Sequence, residues 1–312
     1  MRRSKAIVSL LLALSMTLGF SALAETSAPA DLLVLGDSIS TGYGLQNPSA
    51  DSYGAKLAKA LELPDGKYNN LAVDGATSAD LLALLKQPST SSLLAGHNTV
   101  VISIGGNDLI GKFFALAREA LGLGPNASEA ELQAAVADAE YAMIQIIAAL
   151  IRNEDALAAT ADSFSVNLSD IVSAVKAANP SANVYIQTVY NPFGGIAELE
   201  NILPSTDTII RRMNAAVTNG AAAGEYTVVD VYSAFQGNEQ RYINIDSFDI
   251  HPNAAGHALI YQRIYQAMPD SPPRSFRTGD DSIPGVIFIL LGGSLLAVGG
   301  FVVVLLRKRR EK

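Results

Sequence analysis

The chain has no cysteine and no tryptophan, and only three histidines among its 312 residues. Without cysteine there are no disulfides, no thiol nucleophile and no Cys-ligated metal. His97, His251 and His257 are not at a spacing that holds a metal, so no metal or organic cofactor is expected. Basic residues are also scarce. Leaving out three in the first 24 positions, and five basic and one acidic residue in the last six, 14 basic residues face 29 acidic ones. Phosphate backbones are bound by clustered Lys and Arg, so nucleic acid is excluded as a partner. Charged residues are few (17%) and hydrophobic ones many (49%), which excludes a disordered chain. The few aromatics leave little material for a sugar-stacking platform.

Long apolar runs occur at both ends. Arg2, Arg3 and Lys5 precede a run from Ala6 to about Phe20, and Ala22-Leu23-Ala24 offers small residues for cleavage. Residues 1–24 therefore read as an export signal. At the other end, residues 283–306 carry no charge and are followed by Arg307-Lys308-Arg309-Arg310. That is long enough to span a bilayer as a helix, with the basic tail 307–312 on the cytoplasmic side. Residues 270–282, rich in Pro, Ser and Asp, read as a stalk. The expected product is a single domain, residues 30–269, held outside the cell membrane by one C-terminal helix. The absence of cysteine points to a bacterial surface.

Within the domain, short apolar runs alternate with helical patterns. Strands are expected over 31–36, 68–73, 99–104, 183–189 and 226–231. Helices are expected over 52–63, 78–85 (stopped by Pro88), about 111–178, 207–221 and 253–268. Ser128 and Glu131 have capping-box spacing, and Leu132, Val136, Met143, Ile146, Ile147 and Leu150 form a helical stripe. This alternation indicates an α/β fold with a parallel sheet covered on both faces, whose sites collect at the carboxyl ends of the strands.

Chemically capable residues fall at those ends. Gly36-Asp37-Ser38 closes the first strand, where a serine at a loop or helix start has free N–H groups beside it. Alone, the triplet is also ordinary turn chemistry. Val73-Asp74-Gly75 closes the second strand, and the Gly75 N–H is unobstructed by a side chain. Gly105-Gly106-Asn107-Asp108 closes the third, where the Asn107 amide is a donor or a simple cap. Asp249-Ile250-His251-Pro252-Asn253 precedes the last helix, and a neutral imidazole is the right base for a serine hydroxyl. His257 reads as a packing residue within that helix, and His97 as structural or exposed.

These segments, in this order, resemble the four blocks of the SGNH hydrolases, also called GDSL esterases and lipases. The first looks like Leu35-Gly36-Asp37-Ser38-Ile39-Ser40, the second is similar to residues 70–78, the third resembles Gly105-Gly106-Asn107-Asp108, and the last is His251-Pro252-Asn253. The resemblance covers about Asp31 to Met268. It implies a three-layer, flavodoxin-like fold with about five strands and a serine esterase or lipase working through an acyl-Ser38 intermediate. His251 would be the base, and the Ser38 N–H, Gly75 N–H and Asn107 side chain the oxyanion hole.

One departure from the family pattern concerns the acid. The usual aspartate position, three before the histidine, holds Phe248. Asp249 is assigned instead, with Asp246 and a backbone carbonyl as alternatives. The substrate is read only as a carboxylic ester: an acyl lipid, a lysophospholipid or an acetylated cell-wall glycan. Segment 111–178 either covers the site or completes the core. A rival class is an inactive surface module that binds a ligand on the same fold. Asn126-Ala-Ser and Asn167-Leu-Ser fit glycosylation sequons.

Overall fold

In the first strand, β1 (Leu32–Gly36), Leu32 and Val34 point to one side of the sheet and Leu33 and Leu35 to the other, and all four are buried. A strand covered on both faces takes apolar side chains at every position, so this run shows no polar alternation. β2 (Tyr68–Asn70), β3 (Thr99–Ser103), β4 (Asn183–Gln187) and β5 (Thr227–Val229) complete a parallel five-stranded sheet in the order β2-β1-β3-β4-β5. β1 and β3 run in register, with Leu35 beside Ile102 and Gly36 beside Ser103, so they end together. The strand order reverses direction at β1, and ligand crevices form beside such a switch. The computed structural model describes residues 31–135, 139–192, 194, 204–244 and 249–268.

The helices are α1 (Ser38–Thr41), α2 (Pro48–Asp51), α3 (Tyr53–Ala60), α4 (Ser78–Leu85), α5 (Pro88–Ala95), α6 (Gly106–Ala120), α7 (Glu129–Ala135), α8 (Ala139–Arg152), α9 (Glu154–Ala178), α10 (Pro204–Gly220), α11 (Tyr232–Phe235), α12 (Glu239–Tyr242) and α13 (Ala254–Ala267). Tyr53 and Leu57 of α3 and Ile260 and Ile264 of α13 cover the face bearing Leu32, Val34 and Val101. Leu81 and Leu85 of α4, Phe164 and Ile171 of α9, and Met213 of α10 cover the face bearing Leu33, Leu35 and Ile102. The result is the three-layer α/β sandwich. Each fully buried Leu, Ile or Phe on these faces contributes roughly 1.5–3 kcal/mol.

The expected helix over 111–178 is four helices, α6 to α9, starting at Gly106. Gly105, at φ +118°, turns the chain directly from β3 into α6. Gly122, at φ +68°, and Pro125 lie in the break before α7, which the Ser128–Glu131 pair starts as a capping box (Ser128 N–H to Glu131 Oε2, 2.7 Å). Leu132, Ile146 and Leu150 of the stripe are buried. Part of segment 111–178 therefore completes the core. Pro88 opens α5 after α4 has ended at Leu85, because a proline at the first helical position loses no intrahelical bond. The expected signal 1–24, stalk 270–282, membrane helix 283–306 and tail 307–312 lie outside the described residues. Among the described residues no helix is long and apolar enough to cross a membrane.

Candidate active site

Two glycines shape the edge where β1 and β3 end. Gly36 has φ +137°, and a Cβ there would overlap the Ser103 carbonyl. With only hydrogen in that space, the Asp37 N–H reaches the Ser103 carbonyl at 3.2 Å, and the chain bends into α1. Asp37 caps α1 by accepting the Ile39 N–H at 3.0 Å. Ser38 is the first residue of α1, so its N–H has no intrahelical partner. It has no hydrogen bond to any other described residue either.

The Ser38 hydroxyl lies 2.8 Å from Nε2 of His251, and both side chains are buried. On the other side of the ring, Nδ1 lies 2.5 Å from Asp249 Oδ1, which also accepts the His251 backbone N–H at 3.0 Å. Asp249 Oδ2 takes a longer bond from the Asn244 amide, 3.4 Å. Burial works against the charge on Asp249. The hydrogen bond and charge of His251, with the backbone and Asn244 bonds, nevertheless hold its carboxyl below the usual carboxylate range. Among the described residues the Asp249 carboxylate, and no backbone carbonyl, is hydrogen-bonded to Nδ1 of the imidazole. Asp246 and Phe248 lie outside the described residues.

The segment carrying His251 is fixed at both ends. The Asn244 N–H bonds the His251 carbonyl at 3.0 Å, and Ile243 pairs with Pro252 in an antiparallel bridge. Asn253 then caps α13, accepting the N–H groups of Ala255 and Gly256 at 2.9 and 3.0 Å. The Tyr190 hydroxyl donates to the Ile250 carbonyl at 2.7 Å. Tyr43 lies against the imidazole, with ring centroids 4.6 Å apart. Next to it, Gly44 has φ +82°, and a Cβ there would stand 3.0 Å from Asp249 Oδ2.

The second and third blocks are bonded to this edge. Val73 donates its N–H to the Gly36 carbonyl at 3.0 Å, and the Thr41 hydroxyl donates to Asp74 at 2.6 Å. Gly75 follows, exposed at φ +77°, and its N–H bonds no other described residue. Asn107, in the first turn of α6, donates one amide hydrogen to the Ala76 carbonyl at 3.0 Å. Its second amide hydrogen remains free of described partners. The structure thus leaves three donors without a described partner, the Ser38 and Gly75 backbone N–H groups and the second Asn107 amide hydrogen, on segments that follow β1, β2 and β3. Such donors stabilise charge that develops on a carbonyl oxygen.

The other histidines lie away from this chemistry. His97 is buried, with Nδ1 2.7 Å from the Leu93 carbonyl and Nε2 3.0 Å from the Asn69 amide. His257 is fully buried, and its Nδ1 accepts the Tyr53 N–H at 3.3 Å. Among the described residues, no group of three or more His, Asp or Glu is placed to hold a metal ion.

Sequence reasoning missed Tyr43, Gly44, Asn244, Ser78 and Asn167 as neighbours or supports of the site. Ser78 closes the second block with no sign there of its partners, Tyr43 and Gly44 share the turn after α1, and Asn244 and Asn167 come from segments that no spacing rule links to the blocks. Asp37 was read only as part of a motif. Its near-complete burial follows from the closeness of β1 and β3, which no local pattern records.

Comparison with known proteins agrees with this geometry. Residues 34–259 match the GDSL-like Lipase/Acylhydrolase family, and the chain belongs to that family of ester-bond hydrolases. It is 23% identical to YpmR of Bacillus subtilis (strain 168), a protein described as uncharacterized, over 76% of this chain and 80% of YpmR. Its fold is similar to that of phospholipase A1 from Streptomyces albidoflavus NA297 (TM-score 0.53, 22% identity, 77% of this chain and 100% of that one). It is also similar to an extracellular lipase from Streptomyces rimosus (TM-score 0.51, 22% identity, 77% and 100%).

Proposed function

We propose that the protein is a serine esterase that cleaves carboxylic esters through an acyl-Ser38 intermediate. The observation that carries this reading is the continuous line from Ser38 Oγ through the His251 ring to Asp249, with contacts of 2.8 and 2.5 Å. His251 Nε2 takes the hydroxyl proton as Oγ attacks the ester carbonyl. Asp249 fixes the tautomer that leaves Nε2 free to accept, and it stabilises the imidazolium that forms. The carbonyl oxygen, now negative, is met by the Ser38 and Gly75 N–H groups and the Asn107 amide. The imidazolium then protonates the departing alcohol, and water repeats the sequence to release the acid.

The acyl group is apolar in this reading. Val73, two residues before the Gly75 donor, is 56% exposed, and in this reading a hydrocarbon chain lies against it. Export and attachment to the outer face of a cell membrane by residues 283–306 belong to the same proposal, supported by the apolar runs at both ends of the sequence.

Ser38→Ala tests the nucleophile. The variant should lose turnover of a short-chain nitrophenyl ester and labelling by a fluorophosphonate, with unchanged folding. Unchanged turnover would refute the assignment, and a wild-type protein that takes no label would leave a ligand-binding module. A profile across esters of two to sixteen carbons separates acyl lipids from acetylated glycans. Preference for acetate would overturn the apolar reading.

A further inference from the structure

The Ser78 side chain is completely buried at the start of α4, three residues after Gly75. Its hydroxyl donates to Asp108 Oδ1 at 2.5 Å, and its backbone N–H donates to Asp108 Oδ2 at 2.9 Å. Asp108 directly follows Asn107, whose amide holds the Ala76 carbonyl. Two adjacent residues at the start of α6 therefore grip two alternate residues of the segment that carries Gly75. The grip fixes two of the three proposed oxyanion donors relative to each other.

A third helix completes the arrangement. The Asn167 amide, from the middle of α9 and 89 residues away in sequence, donates to the Ser78 hydroxyl oxygen at 2.8 Å. Hydrogen bonds run in one direction along this chain, from the Asn167 amide to the Ser78 hydroxyl to the Asp108 carboxylate. A hydroxyl that accepts a bond donates a stronger one, so Asn167 tightens the Ser78–Asp108 contact. Burial raises the Asp108 carboxyl above the usual carboxylate range, while the two Ser78 bonds oppose that shift. Asn167 also fits a glycosylation pattern in the sequence, but its nitrogen already donates to Ser78.

We infer that Asn167 is a positioning residue for the oxyanion hole, acting through Ser78 and Asp108 on Gly75 and Asn107. It touches neither substrate nor nucleophile. The inference rests on the esterase reading. Its physical basis is that transition-state donors lose effect when displaced by a fraction of an ångström.

The test compares Asn167→Ala and Asn167→Asp with wild type on a short-chain nitrophenyl ester. Asn167 is only half-buried, so both variants should fold, with at most the small drop in melting temperature that one hydrogen bond carries. In Asn167→Ala, kcat should fall about fivefold to tenfold at constant KM, the effect of one neutral hydrogen bond. Asn167→Asp should fall further, because its carboxylate competes with Asp108 for the Ser78 proton. In an Asn107→Ala background, Asn167→Ala should cost less than it does alone, since one of the two donors it positions is gone. Unchanged kcat in Asn167→Ala, or a full additional loss in the Asn107→Ala background, would overturn the inference while leaving the esterase reading intact. Wild-type protein without Ser38-dependent turnover would overturn both.

Discussion

The Asp249 carboxylate stands two residues before His251 and takes hydrogen bonds from both the ring and the backbone N–H of that residue. This short separation suffices because both residues are tied to Asn244: the Asp249 N–H meets the Asn244 carbonyl and the Asn244 N–H meets the His251 carbonyl. One carboxylate oxygen thus fixes the turn and the imidazole together. Asp249→Asn places an amide against Nδ1 and favours the wrong tautomer, so kcat should fall about 10⁴-fold. Asp246→Asn should keep wild-type turnover of the same ester. The reverse result would move the acid to position 246.

Asp37 connects the site to stability. Burial pushes its carboxyl up to about 7, with Asp108 adding to the shift and the Ile39 N–H and His251 opposing it. Unfolded, the group titrates at about 3.9. Between those values the folded protein keeps a proton that the unfolded chain has released, so stability falls as pH rises through this window. Above it the full penalty is present, at most about 4 kcal/mol. Asp37→Asn removes the charge and leaves an oxygen for the Ile39 N–H. Denaturant unfolding should show the variant more stable than wild type at about pH 8, with the gain shrinking towards pH 4. A gain independent of pH would contradict this account.

His257 acts with the opposite sign. Burial, aided by the Lys56 and His251 charges and opposed by Asp51, lowers its imidazole to about 3. In the unfolded chain it titrates at about 6.5. Below that pH the unfolded chain binds a proton that the folded one refuses, so stability is lost as pH falls from 6.5 towards 3. His257→Leu leaves the Tyr53 N–H without its acceptor, a constant cost of about 1–3 kcal/mol, but removes the titration. The variant's stability should change less with pH across that window than that of wild type. Equal slopes in the two proteins would assign the acid sensitivity elsewhere.

The parts of this structure that were legible in the sequence are those set by local pattern. β1 and β3 are apolar at nearly every position because both sheet faces are covered, and this made them easy to find. Ser38 and Asn107 sit in the first turn of helices that follow strands and His251 just before the last helix, so element ends exposed them, while Gly75 lies in the loop between β2, which ends at Asn70 and not at Val73, and α4. The four-residue helices α1, α2, α11 and α12 escaped notice because one turn has no periodicity to read. The break before α7 is marked by Gly122, Gly124 and Pro125, which the reading of one long helix passed over, whereas the break at Asn153 before α9 has no glycine or proline to mark it. Asp249 was assigned over its alternatives, yet only the folded loop shows why a separation of two is enough. Asn167 lay within a helix, and nothing near it in sequence points to Ser78.

Asn107 gives a prediction that separates charge from shape. One hydrogen of its amide is bonded to the Ala76 carbonyl, and the other is, in the proposed mechanism, an oxyanion donor together with the Ser38 and Gly75 N–H groups. Loss of one such donor costs about 10²–10³ in rate, or roughly 2.7–4 kcal/mol of barrier. Asn107→Ala should show this loss in kcat with little change in KM, because the donor matters only once the carbonyl oxygen becomes negative. Asn107→Asp preserves the outline of the side chain, but its carboxylate cannot donate to the Ala76 carbonyl and repels the developing charge. It should therefore be slower than Asn107→Ala, although it resembles wild type more closely in shape. Steady-state kinetics of the three proteins on one ester decide the matter, and an Asp variant faster than the Ala variant would remove Asn107 from the oxyanion hole.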